Sequence, residues 1–220
     1  MIRAREHFVS ILDSHVRLGD KRVLEIGCGL GHYTKQLAPL CAEVVAIDPD
    51  PSAIREAQDS VRFPNVTFGV IPAQNLSDVT GRFQVVIFTL SLHHVPDALM
   101  AQAIDEAARV AYLDGFIVFL EPDQEGSFFE AELAFEACDG DEREAKSRAY
   151  RAMLEHPRLA SVAELSDQTD FRWDSLEDFV DTMHPRGNLS QLEAFLQRHE
   201  YSLTAKRRIN IFTIRARRAD

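Results

Sequence analysis

Cysteine is scarce in this chain of 220 residues. Only Cys28, Cys41 and Cys138 are present. They show no metal-ligand spacing, so no metal centre is expected, and buried free thiols are the simpler reading. No apolar run approaches the ~20 residues that span a bilayer, so no membrane partner is expected. The first residues, MIRAREHFVSILDSHV, are charged and periodic rather than continuously apolar. They are not read as a signal peptide, and a cytoplasmic location is expected. Internal repeats, low-complexity tracts and motifs for RNA or protein recognition are also missing.

What is present fits one globular domain. Hydrophobic residues make up 45% and charged residues 27% of the chain, ordinary proportions for such a domain. A chain of this length buries roughly 70% of the surface exposed when unfolded. The net charge of −11 is unevenly placed. Between Asp123 and Arg186 there are 17 acidic and 7 basic residues. That segment repels phosphates, and no nucleic-acid partner is expected. The last twenty residues carry Lys206, Arg207, Arg208, Arg215, Arg217 and Arg218 against Asp220. This reads as a solvated edge blunted by charge.

Apolar runs and helical periodicity alternate along the first half. Ile2 to Val16 predicts an amphipathic helix. Strands are expected over Lys21–Ile26, Glu43–Asp48, Asn65–Val70, Phe83–Thr89 and Phe116–Glu121. Helices are expected from His32 to Ala38, after Asp50-Pro51, and from a cap at Asp97 to about Val110. Near-continuous apolar strands between amphipathic helices imply a parallel sheet covered on both faces. From Pro122 to Gly187 helical stretches dominate and no strong buried strand is evident. Ser190 and Glu193 form a capping box for a helix over Gln191–Arg198. Tyr201–Arg208 and Ile209–Ala216 alternate and predict paired strands, although no Gly or Pro marks a turn between them.

The most informative segment is Val23-Leu24-Glu25-Ile26-Gly27-Cys28-Gly29-Leu30-Gly31, where a strand passes into a helix. Glycines there permit a tight turn and close approach of a ligand to the main chain. Amides at a helix start favour a negative group. Glu25 stands two residues before the first glycine. Asp48 ends the next strand, where its carboxylate can accept both hydroxyls of a ribose in charge-assisted hydrogen bonds. The spacing is G-x-G-x-G, with His32 after Gly31, and departs from the G-x-G-x-x-G of dinucleotide binders.

These motifs resemble those of the class I S-adenosylmethionine-dependent methyltransferases, in the small-molecule style of the quinone-biosynthesis group. VLEIGCGLG is similar to the first motif and AIDPD to the acid-ended second strand. Ala73-Gln74-Asn75-Leu76 resembles the adenine-side loop. FQVVIFTLSLHHV and FIVFLEP resemble the fourth and fifth strands. The resemblance covers residues 20–122 and, more faintly, the C-terminal elements. It implies an α/β fold, with a doubly wound seven-stranded, mostly parallel sheet and an antiparallel C-terminal strand. Residues 1–220 form a single domain, with 123–187 as an inserted helical lid.

It also implies S-adenosylmethionine as cofactor, with S-adenosylhomocysteine as product, and methyl transfer to a small-molecule acceptor. Gly27, Gly29 and Gly31 would line the methionine and ribose portion. Glu25 would support the methionine amino end, Asp48 the ribose, and Pro49 the adenine. Ala73 and Gln74 would meet the adenine edge, and Thr89 would face the methionine. Pro72 and Gln84 stand where the family often has acids. Pro72 removes one side-chain hydrogen bond to the adenine.

The cofactor carries the reactive methyl, so the protein's task is alignment and exclusion of water. His93 and His94 follow the fourth strand on the acceptor side. His93 is the candidate general base, with Glu121 at the end of the fifth strand in a similar position. Phe128, Phe129, Tyr150, Phe171 and Trp173 are candidates for an apolar acceptor pocket. The competing reading is a methyltransferase-like binding or regulatory module without turnover.

Overall fold

A computed structural model describes residues 1–4 and 6–215. The central strand is β2 (Arg22–Ile26), and its side chains enter two cores in alternation. Leu24 and Ile26 face one apolar cluster, Val23 the other. The same division holds in β5 (Phe83–Thr89), where Phe88 faces the first cluster and Ile87 the second. Such two-sided burial requires helices on both faces of the sheet.

On the first face lie α4 (Asp97–Val110) and α6 (Arg143–Glu155). They contribute Met100, Ala103, Ile104, Ala107, Ala149 and Met153. On the second face lie α1 (Phe8–Val16), α2 (His32–Leu37) and α3 (Pro51–Ser60). Their Phe8, Leu12, Tyr33, Leu37 and Ile54 fill that core. The α3 start is as expected: Asp50 accepts from Ser52 N at 2.7 Å, with Pro51 in the first turn. For α4 the N-cap is Pro96, and Asp97 lies inside the first turn, where its charge suits the helix dipole.

The remaining strands are β1 (Ile2–Ala4), β3 (Glu43–Asp48), β4 (Val66–Val70), β6 (Ala111–Pro122), β7 (Leu159–Arg172) and β8 (Ser202–Ile214). The order is β1-β7-β8-β6-β5-β2-β3-β4. β2 to β6 are parallel, while β8 runs antiparallel between β6 and β7. The strand order reverses between β2 and β5, which opens a crevice beyond their carboxyl ends.

The doubly wound, mostly parallel sheet with an antiparallel C-terminal strand is present, with three corrections. The sheet has eight strands rather than seven, because Ile2–Ala4 pairs with Asp170–Arg172 as an edge strand. The helix expected from Ile2 therefore begins at Phe8. The segment 123–187 is not wholly helical. Besides α5 (Ser127–Phe135), α6 and α7 (Leu176–Met183), it supplies the fourteen-residue β7. Its sequence, LASVAELSDQTDFR, is polar on alternate positions, and pairing along β8 holds it rather than a run of apolar side chains.

Finally, the expected C-terminal hairpin is one continuous strand, β8. Its backbone is paired on both sides, by β6 and β7, so no turn is needed near Arg208. Ala216, Arg217, Arg218 and Asp220 lie outside the described residues. Among the basic residues before them, Lys206 pairs with Glu125, Arg207 with Glu6 and Arg208 with Asp123.

A third cluster joins α5, α7 and α8 (Leu189–Arg198) to the ends of β7 and β8. Phe135, Trp173, Phe179, Leu192 and Leu196 are buried there. Asn188, rather than Ser190, caps α8, accepting from Ser190 N and Gln191 N at 3.0 and 3.2 Å.

Candidate active site

A cleft of about 580 Å³ opens at the carboxyl ends of β2, β3 and β5. Gly27, Gly29, Asp48, Pro49, Ala73 and Gln74 all line it. The structure thus brings together six of the nine residues expected to meet the cofactor. Pro72 and Ile71 complete the wall beside Ala73, and Leu90, Ser91, His94, Val95 and Pro96 form the opposite wall. Sequence reasoning missed that second wall, which lies in the turn between β5 and α4. Gln84 is structural: its Oε1 accepts from Arg22 N at 2.9 Å.

The glycine-rich turn works by giving space. Gly27 N and Cys28 N donate to the Ile47 carbonyl at 2.8 and 3.0 Å, and Gly31 N donates to Cys28 O at 2.9 Å. Gly29 N donates to Asp48 Oδ2 at 2.9 Å. These amides are spent inside the protein. Gly29 has φ +50°, and a Cβ there would meet nothing within 4 Å, because it would enter the open cleft. Gly31 does not line the cleft. A Cβ on it would lie 2.8 Å from Val61 Cγ2, so this glycine lets α2 pack close to α3.

Glu25 and Thr89 lie beneath the turn and outside the cleft lining. Thr34 Oγ1 donates to Glu25 Oε2 at 2.6 Å. Thr89 Oγ1 is 3.2 Å from Glu25 Oε1 and 3.0 Å from the Gly27 carbonyl. Burial, the largest influence, pushes the Glu25 carboxyl up to about 7. A protonated Glu25 can donate to Thr89 Oγ1, whose single hydrogen then goes to Gly27 O, and the chain of donors is satisfied.

A pH dependence follows. An unfolded glutamate releases its proton near 4.5, well before the folded one does. Stability from this site is therefore greatest below about pH 4.5 and falls as pH rises toward 7, by an amount on the order of 3 kcal/mol. Glu25→Gln is expected to flatten the melting temperature of the ligand-free protein between pH 5 and 7, and to melt above the parent at pH 8. A slope as steep as the parent's would show that Glu25 ionises normally in the fold.

A second cavity, of about 280 Å³, adjoins the cleft and shares Leu90 and His94 with it. Phe128, Phe129 and Phe171 form apolar walls. Tyr150 and Trp173 do not line it. Tyr150 hydrogen-bonds Glu164, and Trp173 packs in the third cluster, its Nε1 donating to Thr182 Oγ1. Met1 and Arg3 line the cavity from the N-terminal strand.

His93 lies in a 3-10 turn, Leu92–His94, and also lines this cavity. Its Nδ1 is 2.5 Å from Glu121 Oε2, and Leu92 N donates to Glu121 Oε1 at 2.9 Å. One oxygen of a buried carboxylate thus fixes the ring and the other the backbone of the turn, with Nδ1–H toward Glu121 and Nε2 free of hydrogen bonds among the described residues. Burial alone would lower the His93 pKa; the charge and hydrogen bond of Glu121 outweigh it and raise it. His94 is lowered instead, by burial and by neighbouring His93. Glu6 bridges the N-terminal segment to the sheet, accepting from Arg207 Nη1 and Tyr33 Oη at 2.6 Å and contacting His32. Burial would raise the Glu6 carboxyl, yet these hydrogen bonds hold it well below the usual range.

The strand order and the crevice at its reversal define a nucleotide-type α/β fold of the methyltransferase kind. A methyltransferase-domain family model matches residues 23–115. The chain is 27% identical to the uncharacterized methyltransferase OB1106 of Oceanobacillus iheyensis, over 80% of this chain and 81% of that protein. It is 29% identical to the ubiquinone biosynthesis O-methyltransferase of Methylococcus capsulatus, over 50% of this chain and 47% of that one. Among solved structures, the N-methyltransferase NodS from Bradyrhizobium japonicum, in complex with S-adenosyl-L-homocysteine, matches its fold with a TM-score of 0.56 at 18% identity. That match covers 92% of this chain and 84% of NodS. Over residues 23–115 the chain is thus similar to a methyltransferase domain, and its fold is the one seen in solved methyltransferases.

Proposed function

We propose that the chain transfers the methyl of S-adenosylmethionine, held in the larger cleft, to a small hydroxylated aromatic acceptor in the adjoining cavity. The observation that carries this reading is the meeting of the two spaces at Leu90 and His94. Asp48 accepts from the ribose, and Pro49 packs on the adenine. Ala73 and Gln74 meet the adenine edge, while Gly27 and Gly29 leave room for the methionine portion. Glu25, Thr89 and Gly31 act by shaping the turn. The phenylalanine walls and the likeness to a ubiquinone-biosynthesis O-methyltransferase favour an aromatic acceptor with a nucleophilic oxygen.

Transfer is an in-line displacement. Holding the acceptor against the methyl–sulfur axis supplies roughly 7–11 kcal/mol of the barrier reduction. His93 Nε2 faces the acceptor and takes its proton, and Glu121 holds the ring in the required tautomer. The acid-rich lid segment argues against a nucleic-acid acceptor. Three free thiols support action in the reducing cytoplasm, and no helix among the described residues is long and apolar enough to cross a membrane.

The test is calorimetry with S-adenosylhomocysteine followed by labelled-methyl transfer to a panel of phenols and catechols. His93→Ala is expected to lower kcat by 10²–10⁴-fold while leaving S-adenosylhomocysteine affinity within about twofold. Folded protein that fails to bind S-adenosylhomocysteine would overturn the reading. Binding without transfer to any acceptor would support a module that senses the cofactor without turnover.

A further inference from the structure

We propose that His93, His94 and Glu142 hold a divalent transition-metal cation in the wall of the acceptor cavity. The three residues come from two elements, the 3-10 turn after β5 and the residue that precedes α6. His93 Nε2 is 3.8 Å from Glu142 Oε2, and His94 Nδ1 is 3.6 Å from Glu142 Oε1. Both separations are too long for hydrogen bonds. Two ligands bound at about 2.1 Å to one tetrahedral ion stand about 3.4 Å apart, so a closure of a few tenths of an ångström brings each pair to coordinating distance. One ligand atom from each of the three residues lies within 4.8 Å of the others. Among the described residues, the Glu142 carboxylate accepts no hydrogen bond, so its oxygens are free to coordinate.

Two further features support the site. Glu121 accepts from the far nitrogen of His93, the carboxylate–histidine arrangement that orients metal-bound imidazoles. The surroundings are also anionic: Glu121, Glu132 and Asp139 stand near Glu142, against Lys146. Lys146 Nζ lies closer to Glu132, at 3.0 Å, than to Glu142, at 3.6 Å. The amine hydrogen-bonds Glu132 and stands in ion-pair range of Glu142 without hydrogen-bonding it. Two imidazoles and one carboxylate suit zinc, cobalt, nickel or iron better than calcium or magnesium.

Three protein ligands leave coordination positions open toward the cavity. The consequence for chemistry rests on the methyl-transfer reading; the ion site itself does not. An acceptor hydroxyl bound to the ion ionises more easily and releases its proton to water. The oxygen lone pair then forms the bond to the methyl carbon as the carbon–sulfur bond breaks, and that electron pair stays on sulfur. With the ion in place, His93 serves as a ligand and the ion takes over activation of the acceptor.

The test uses the purified full chain, stripped with chelator. Co²⁺ is titrated by visible absorption and Zn²⁺ by calorimetry, with S-adenosylhomocysteine titrated separately. One equivalent of each metal is expected to bind at micromolar concentration or tighter. His94→Ala and Glu142→Gln are each expected to weaken binding at least tenfold, whereas surface His15→Ala leaves it unchanged. S-Adenosylhomocysteine affinity of Glu142→Gln is expected to stay within twofold, which also shows that this variant is folded. Absence of a stoichiometric Co²⁺ spectrum, or equal affinity in parent and Glu142→Gln, would overturn the site. Metal binding without S-adenosylhomocysteine binding would leave the ion site standing and remove the methyl-transfer reading.

Discussion

Asp48→Ala is expected to weaken S-adenosylhomocysteine binding by ten- to a hundredfold. Asp48 Oδ2 accepts from Gly29 N and Oδ1 from Asp50 N, both at 2.9 Å. The carboxylate thus pins the glycine-rich turn to the end of β3 while it lines the cleft. Each oxygen keeps a lone pair for a ribose hydroxyl. Hydrogen bonds to a charged group contribute about 1.5–3 kcal/mol each, and tenfold in affinity corresponds to about 1.4 kcal/mol. Alanine removes the ribose contacts and loosens the turn together. Asp48→Asn keeps one acceptor oxygen and is expected to fall between alanine and the parent. Calorimetry on the three proteins decides the matter, and equal affinities would show that the ribose is held elsewhere.

Gly27→Ala and Gly29→Ala are expected to fail in opposite ways. A Cβ on Gly27 would sit 2.2 Å from Ser91 Cβ, at a residue whose φ is +77°. Ser91 cannot easily retreat, because its hydroxyl donates to Ile26 O at 2.8 Å. Left-handed strain of about 1–3 kcal/mol and overpacking of about 1–3 kcal/mol combine there. A fall of roughly 4–24 °C in melting temperature is expected for a domain of this size. Gly29→Ala meets only the left-handed strain, since nothing lies within 4 Å of its new Cβ. Its methyl projects into the cleft, so it loses S-adenosylhomocysteine affinity at least tenfold with a smaller fall in melting temperature. Thermal melts and titrations run side by side separate the two cases. Similar melting losses would show that the turn relaxes around Gly27.

Much of the first half was legible because local chemistry and global fold agree there. Apolar runs at Val23–Ile26, Val44–Ile47 and Val85–Phe88 have no exposed face to advertise, and each lies inside the parallel sheet. Glycines at 27, 29 and 31 all take positive φ, as a strand-to-helix turn demands. Their roles nevertheless differ. Gly27 admits Ser91, Gly29 leaves the cleft open and Gly31 admits Val61, distinctions set by neighbours far along the chain. Glu25 illustrates the same point. Its place before the glycines is plain in the sequence, but its neutrality below about pH 7 comes from complete burial between Thr34 and Thr89.

The second half was harder to read for a physical reason. β7 is held by backbone pairing to β8, and its polar alternate positions give no buried-strand signal. The N-terminal strand likewise exists only because the end of β7 offers Asp170–Arg172 as partners. The second cavity gathers Met1, Arg3, His93, Glu142, Phe171 and Arg207 from across the chain, and no periodicity encodes such a meeting. The sequence by itself determined the sheet's central strands, the glycine turn and the acid at Asp48, because each depends on residues within one strand and the turn after it. Tertiary structure alone decided the eighth strand, the continuous β8, the second cavity and the facing of Glu142 toward His93 and His94, because those depend on long-range pairing and packing.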